Sequence, residues 1–119
     1  MKKPSVLLFD LGGVLVDWAG VDPLLALVQG RLSAEQARKF WLESTAVREF
    51  EMGLCDADAF GRAVVAGLQL DCSPADFLAQ FESWDRGPFP GAVELLAELA
   101  PQYHLACLSN NNELHWRRL

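Results

Sequence analysis

Apolar positions recur along this chain with two different periods, and the change between them divides it. Ser5-Val-Leu-Leu-Phe9 is a continuous apolar run between Pro4 and Asp10, which predicts a short strand buried on both faces. Residues 13–18 are too apolar for a solvated loop and too short for a helix, and predict a small hairpin or flap beside the strand end. From residue 21 to about residue 84 the period becomes 3.6. Pro23 starts a first helix that ends at Gly30. Ser33-Ala-Glu-Gln36 is a capping box, with Leu32 as its hydrophobic staple, opening a second helix with Ala37, Phe40 and Trp41 on one face. A third helix, residues 45–52, stops at Gly53. Asp56 caps a fourth, with Phe60, Ala63, Val64, Gly67 and Leu68 along one stripe, and Ser73-Pro74 starts a fifth that buries Phe77, Leu78, Phe81 and Trp84.

Residues 20–85 therefore predict a helical block without a strand of its own, whose aromatic and leucine stripes are the core of a small bundle rather than a cofactor pocket. Residues 86–91, Arg-Gly-Pro-Phe-Pro-Gly, form a turn-rich linker. A helix over 92–100 stops at Pro101, His104-Leu-Ala-Cys-Leu108 is a second buried strand, and another helix begins at Glu113. Strand, helical insert, helix, strand, helix is the order of an α/β protein with parallel strands.

Composition narrows the partners. The 119 residues are 51% hydrophobic and 22% charged, enough for a packed core. Acidic residues outnumber basic ones 16 to 10, for a net charge of −6, and the basic residues are scattered apart from Arg117 and Arg118, so a nucleic-acid partner is not expected. No apolar run approaches the roughly 20 residues that span a bilayer, and Lys2 and Lys3 are followed too soon by Asp10 for a signal peptide. The chain reads as cytoplasmic, with no membrane partner. Cys55, Cys72 and Cys107 form no Cys-x-x-Cys pair and are expected to be buried free thiols, and His104 and His115 stand isolated.

Ligands of open parallel sheets bind beyond the carboxyl ends of the strands, where this chain places Asp10 and Ser109. A carboxylate on a rigid strand end can attack phosphorus or carbon, and Gly12 and Gly13 let backbone N–H groups approach a phosphate. Ser109 offers a hydroxyl, and residues 110–112 open a helix whose free N–H groups favour an anion. Taken singly, Asp10 is a turn residue and Ser109-Asn110 a helix cap. Together they describe a phosphate site.

Phe9-Asp-Leu-Gly-Gly-Val-Leu15 resembles the first motif of the haloacid dehalogenase (HAD) superfamily, and Cys107-Leu-Ser-Asn-Asn-Asn112 resembles its second. The likeness extends to the subgroup that includes a bacterial α-D-glucose-1-phosphate phosphatase and the N-terminal phosphatase domain of soluble epoxide hydrolases. The resemblance implies a partial Rossmann-like core over 1–17 and 88–119 and an all-helical cap domain over 18–87 that covers the site and chooses the leaving group. It makes Asp10 the nucleophile that forms an aspartyl-phosphate and a Mg²⁺ ligand, with the Gly12 backbone carbonyl as a second ligand. Gly13, Ser109 and Asn110 would bind the phosphoryl group of a small phosphorylated metabolite.

Two departures from the family pattern follow. Gly12 stands where phosphatases of the superfamily usually carry a second Asp as general acid and base, which leaves a 2-haloacid dehalogenase open as an alternative and makes Asp17 a substitute candidate. The family's third motif, a Lys, and its fourth, an acidic pair, fall beyond the position of Leu119, so the chain reads as truncated after the second motif and inactive by itself. A catalytically dead interaction module is the reading from outside enzymology. With only two confident strands, the core is expected to seek cover from a second copy, giving a possible homodimer.

Overall fold

A computed structural model describes residues 2–119. The chain forms two units: residues up to Trp18 with Arg86–Asn110, and Ala19–Asp85 with Asn111–Leu119.

In the first unit, β1 (Val6–Phe9) pairs with β4 (His104–Cys107) in parallel, from Val6 opposite His104 to Phe9 opposite Cys107. Both runs are mainly apolar, which suits a ladder in which backbone groups bond across, and bonds from His104 N–H to the Ser5 carbonyl (3.0 Å) and from Leu108 N–H to the Phe9 carbonyl (2.9 Å) extend it at both ends. The connection between the strands contains α6 (Ala92–Leu99), entered through Gly91 at φ 86°. A second pair, β2 (Val16–Trp18) with β3 (Asp85–Pro88), runs antiparallel: Leu15 accepts from the Phe89 N–H at 2.8 Å, and Asp17 meets Arg86 two positions further along. The sequence read 86–91 as a linker because Gly87, at φ 90°, and Pro88 signal a turn; a short pairing tolerates both where a central strand would not.

The expected burial of the two apolar strands is not observed. β1 alternates exposed and half-buried side chains, with Val6 and Leu8 exposed at 50% and 63%, and Leu108 beyond β4 is 72% exposed. Among the described residues each strand has one neighbour, so the apolar residues lack the covering layers that a larger parallel sheet supplies. Cys107 is exposed for the same reason, while Cys55 and Cys72 are half-buried, so none of the three is the buried thiol expected.

The second unit is helical: α1 (Asp22–Val28), α2 (Ala34–Glu43), α3 (Thr45–Glu51), α4 (Ala57–Leu68), α5 (Pro74–Glu82) and α7 (Glu113–Trp116). Local signals set most boundaries. Ser33 and Gln36 complete the capping box; Ser44, Asp56 and Ser73 each accept a first-turn N–H; and Gln29 and Gln69 end α1 and α4 in the left-handed conformation. The core is an aromatic cluster. Phe60 stacks on Phe50 with centroids 4.4 Å apart and meets Phe81 at 5.1 Å, and Phe81 meets Trp84 edge-on at 5.1 Å. Leu24, Val28, Val64 and Phe77 are fully buried. Gly61 brings α4 against α5: a Cβ there would lie 3.0 Å from the Leu78 side chain. Among the described residues no helix is long and apolar enough to cross a membrane.

Candidate active site

Strand direction builds this site. Continuing the β1–β4 register by one residue sets Asp10 level with Leu108, and Ser109 follows, so both polar residues leave the same end of neighbouring strands spaced about 4.8 Å apart. Asp10 is exposed, and its Oδ1 accepts the N–H of Leu11 at 2.7 Å. The next turn is wound around the Leu11 carbonyl, which accepts from Val14 (3.0 Å), Leu15 (2.9 Å) and Val16 (2.8 Å). The Gly13 N–H closes the turn on the Val16 carbonyl at 2.9 Å, and Gly13 sits at φ 80°, a conformation costly for any side chain. Gly12 differs: its φ is not positive, and an added Cβ would make ordinary contact with Trp18 at 3.4 Å. Conformation therefore demands glycine at 13 and not at 12.

Ser109 is half-buried and Asn110 exposed, with the Ser109 hydroxyl 3.4 Å from the Asn110 carbonyl. The helix expected to present free N–H groups after them is α7, a single turn in which Asn112 Oδ1 accepts the His115 N–H at 3.1 Å, while Asn111 Oδ1 accepts the Asn112 N–H at 2.8 Å. Asp17 is committed elsewhere, since its carboxylate lies 2.7 Å from the Arg86 guanidinium; that contact raises the Arg86 pKa above its ordinary value. Among the described residues, no three His, Cys, Asp or Glu side chains gather as a metal cage.

Sequence reading passed over the Asn112 and His115 pair. The three-residue spacing of a helix cap was its one visible signal, and the partner of His115, the Phe81 carbonyl, is 34 residues away.

These features have a counterpart among solved structures of a HAD family enzyme from Bacteroides thetaiotaomicron. The wild-type enzyme in complex with magnesium and inorganic phosphate superposes with a TM-score of 0.69 at 25% identity, over 95% of this chain and 56% of that one. The chain has the HAD fold. A second structure of the same enzyme gives a TM-score of 0.70 at 23% identity, over 98% of this chain and 58% of that one. The chain thus spans a little over half the length of its HAD neighbours. No protein-family model and no curated protein matches it.

Proposed function

We propose that this chain carries the first half of a Mg²⁺-dependent phosphatase site of the HAD type, acting on a small phosphorylated metabolite. The observation that carries the reading is the parallel β1–β4 pairing, which sends Asp10 and Ser109 out of the same sheet end. The magnesium and phosphate bound by the Bacteroides thetaiotaomicron enzyme favour phosphoryl transfer over halide displacement. In this reading a carboxylate oxygen of Asp10 bonds to phosphorus as the ester P–O bond breaks, and the leaving alkoxide takes a proton from water to depart as the alcohol. Water then attacks the aspartyl-phosphate, releasing inorganic phosphate and restoring Asp10. Gly13, Ser109 and Asn110 hold the phosphoryl oxygens. Residues 18–87 act as a cap that selects the alcohol.

Mg²⁺ is commonly held by one or two carboxylates, water and substrate phosphate. Among the described residues no three His, Cys, Asp or Glu side chains gather, so Asp10 and the Gly12 carbonyl would hold the ion only together with water and substrate phosphate. Bound there, Mg²⁺ would neutralise charge on the transferring group. The Lys and acidic pair of the family's third and fourth motifs are not part of this set, so residues 1–119 alone are expected to bind and not to turn over.

The functional test compares residues 1–119 with a polypeptide that also carries those motifs, on a panel of small phosphate monoesters. Hydrolysis by the longer form that requires Mg²⁺ and disappears in Asp10→Asn supports the reading. Metal-independent release of halide from 2-haloacids would replace it with a dehalogenase, and no turnover of either kind would leave an interaction module.

A further inference from the structure

His115 is a buried titratable side chain of the second unit, and each of its ring nitrogens lies within hydrogen-bond distance of a named group. It is 5% exposed, on α7, and its ring lies 4.3 Å from that of Phe81 on α5. Nε2 is 2.6 Å from the Phe81 carbonyl, which can only accept, so Nε2 carries a hydrogen. The other nitrogen, Nδ1, is 3.1 Å from Asn112 Nδ2. Asn112 cannot turn its amide around at no cost, because its Oδ1 caps α7 by accepting the His115 N–H at 3.1 Å. Nδ1 must therefore accept, and the ring is the neutral Nε2–H tautomer.

A second proton would have to enter at Nδ1, directly against the Asn112 N–H. Either two donors then face each other, or the amide turns and α7 loses its cap. Each outcome costs a hydrogen bond at a buried site. The surrounding charges do not reverse this. Burial pushes the imidazole below its ordinary pKa and outweighs the upward pull of the Phe81 carbonyl, Asp85 and Glu82, while Arg118 adds to the downward shift. Glu82 belongs to α5, Asp85 follows it, and Arg118 follows α7.

We propose that His115 is a positioning residue: as the neutral Nε2–H tautomer it latches α7 onto α5, and so anchors the short span through Ser109 and Asn110 that leads into α7, whereas its protonation releases that anchor. Only Asn110 and Asn111 separate Ser109 from Asn112, so a loosened α7 lets the proposed phosphate-binding pair move. The effect on phosphate rests on the function proposed above; the latch does not. The sign follows from the depressed pKa. The latch is intact above the ordinary imidazole value, near 6.5, where neither folded nor unfolded His115 is charged, and it is lost as the pH falls below that value towards the folded one.

The test is an NMR titration of residues 1–119 from pH 8 to 5, following the His115 imidazole nitrogens, backbone amides and α7 hydrogen exchange. The expected result is an Nε2–H tautomer at high pH and protonation at a pH below that of a free imidazole. Ser109, Asn110 and α7 amides should shift with that same midpoint, and α7 exchange, corrected for its intrinsic pH dependence, should quicken severalfold. His115→Gln should remove these coupled shifts. Asn112→Ala keeps the imidazole bond to Phe81 and gives the same test should the Gln variant not fold: α7 exchange should be fast at all pH, with its pH dependence diminished. A protonated His115 with α7 exchange and the Ser109 and Asn110 amides unmoved would overturn the latch. Inorganic phosphate added at pH 8 reports separately on the site: a latch without phosphate binding leaves this inference standing and removes the function it was joined to.

Discussion

The Leu108 N–H donates to the Phe9 carbonyl at 2.9 Å, just beyond the parallel β1–β4 register. That one bond ties the residue before Ser109 to the residue before Asp10. Parallel pairing makes the two strands end on the same side, so residues 99 positions apart in sequence share one sheet end. An antiparallel pairing of the same two apolar runs would have sent them to opposite ends.

The two glycines after Asp10 should respond differently to a methyl group. Gly13 has a positive φ and open space around its Cβ position, so Gly13→Ala incurs backbone strain alone, about 1–2 kcal/mol. Gly12→Ala meets only ordinary contact with Trp18 and reduces the freedom of the unfolded chain, and should be neutral or stabilising by up to about 1 kcal/mol. Denaturant unfolding of both variants checks this ordering, and equal losses would contradict the turn geometry.

Within the helical unit, the aromatic cluster should outweigh the caps. Phe60 is 1% exposed and contacts Trp41, Phe50, Phe77 and Phe81, so Phe60→Ala is expected to cost about 3–5 kcal/mol. Asp56→Ala removes one cap bond of 2.7 Å, at about 1 kcal/mol. Unfolding midpoints of the two variants, read by far-UV circular dichroism, measure the gap.

Much of this architecture was legible in the sequence because its causes are local. Ser33 with Gln36, Asp56, and Ser73 with Pro74 announce helix starts by side chains that bond within three residues, and the structure makes those bonds. The Val6 and Leu105 strands were legible as strands for their apolar runs, but not their exposure, because burial depends on neighbours that a periodicity does not describe. Asp17 illustrates the limit at the site. Its position suggested a proton donor, and only the β2–β3 pairing reveals that Arg86 takes its carboxylate. His115 failed in the other direction, appearing isolated until α7 met α5.

The open strand edges carry a prediction about assembly. Val6, Leu8 and Leu108 are exposed beside backbone edges that no third strand pairs among the described residues. Association through a second copy is therefore expected, with a molar mass by light scattering that rises above 13.2 kDa as concentration increases and falls back on dilution. A monodisperse monomer throughout the series would show that the unit satisfies its own edges.

The most direct test of the phosphate site is Mg²⁺ binding to residues 1–119 by calorimetry, with and without inorganic phosphate. In the proposed site, Asp10 and the Gly12 carbonyl would offer too few ligands for tight binding alone, and phosphate held near Ser109 and Asn110 would supply the missing oxygens. The two ligands should therefore strengthen each other reciprocally, by at least about tenfold, or 1.4 kcal/mol. Asp10→Asn should abolish the coupling, and Asp17→Asn should preserve it. Mg²⁺ affinity indifferent to phosphate, or coupling undiminished in Asp10→Asn, would contradict the assignment of this sheet end as a phosphoryl-transfer site.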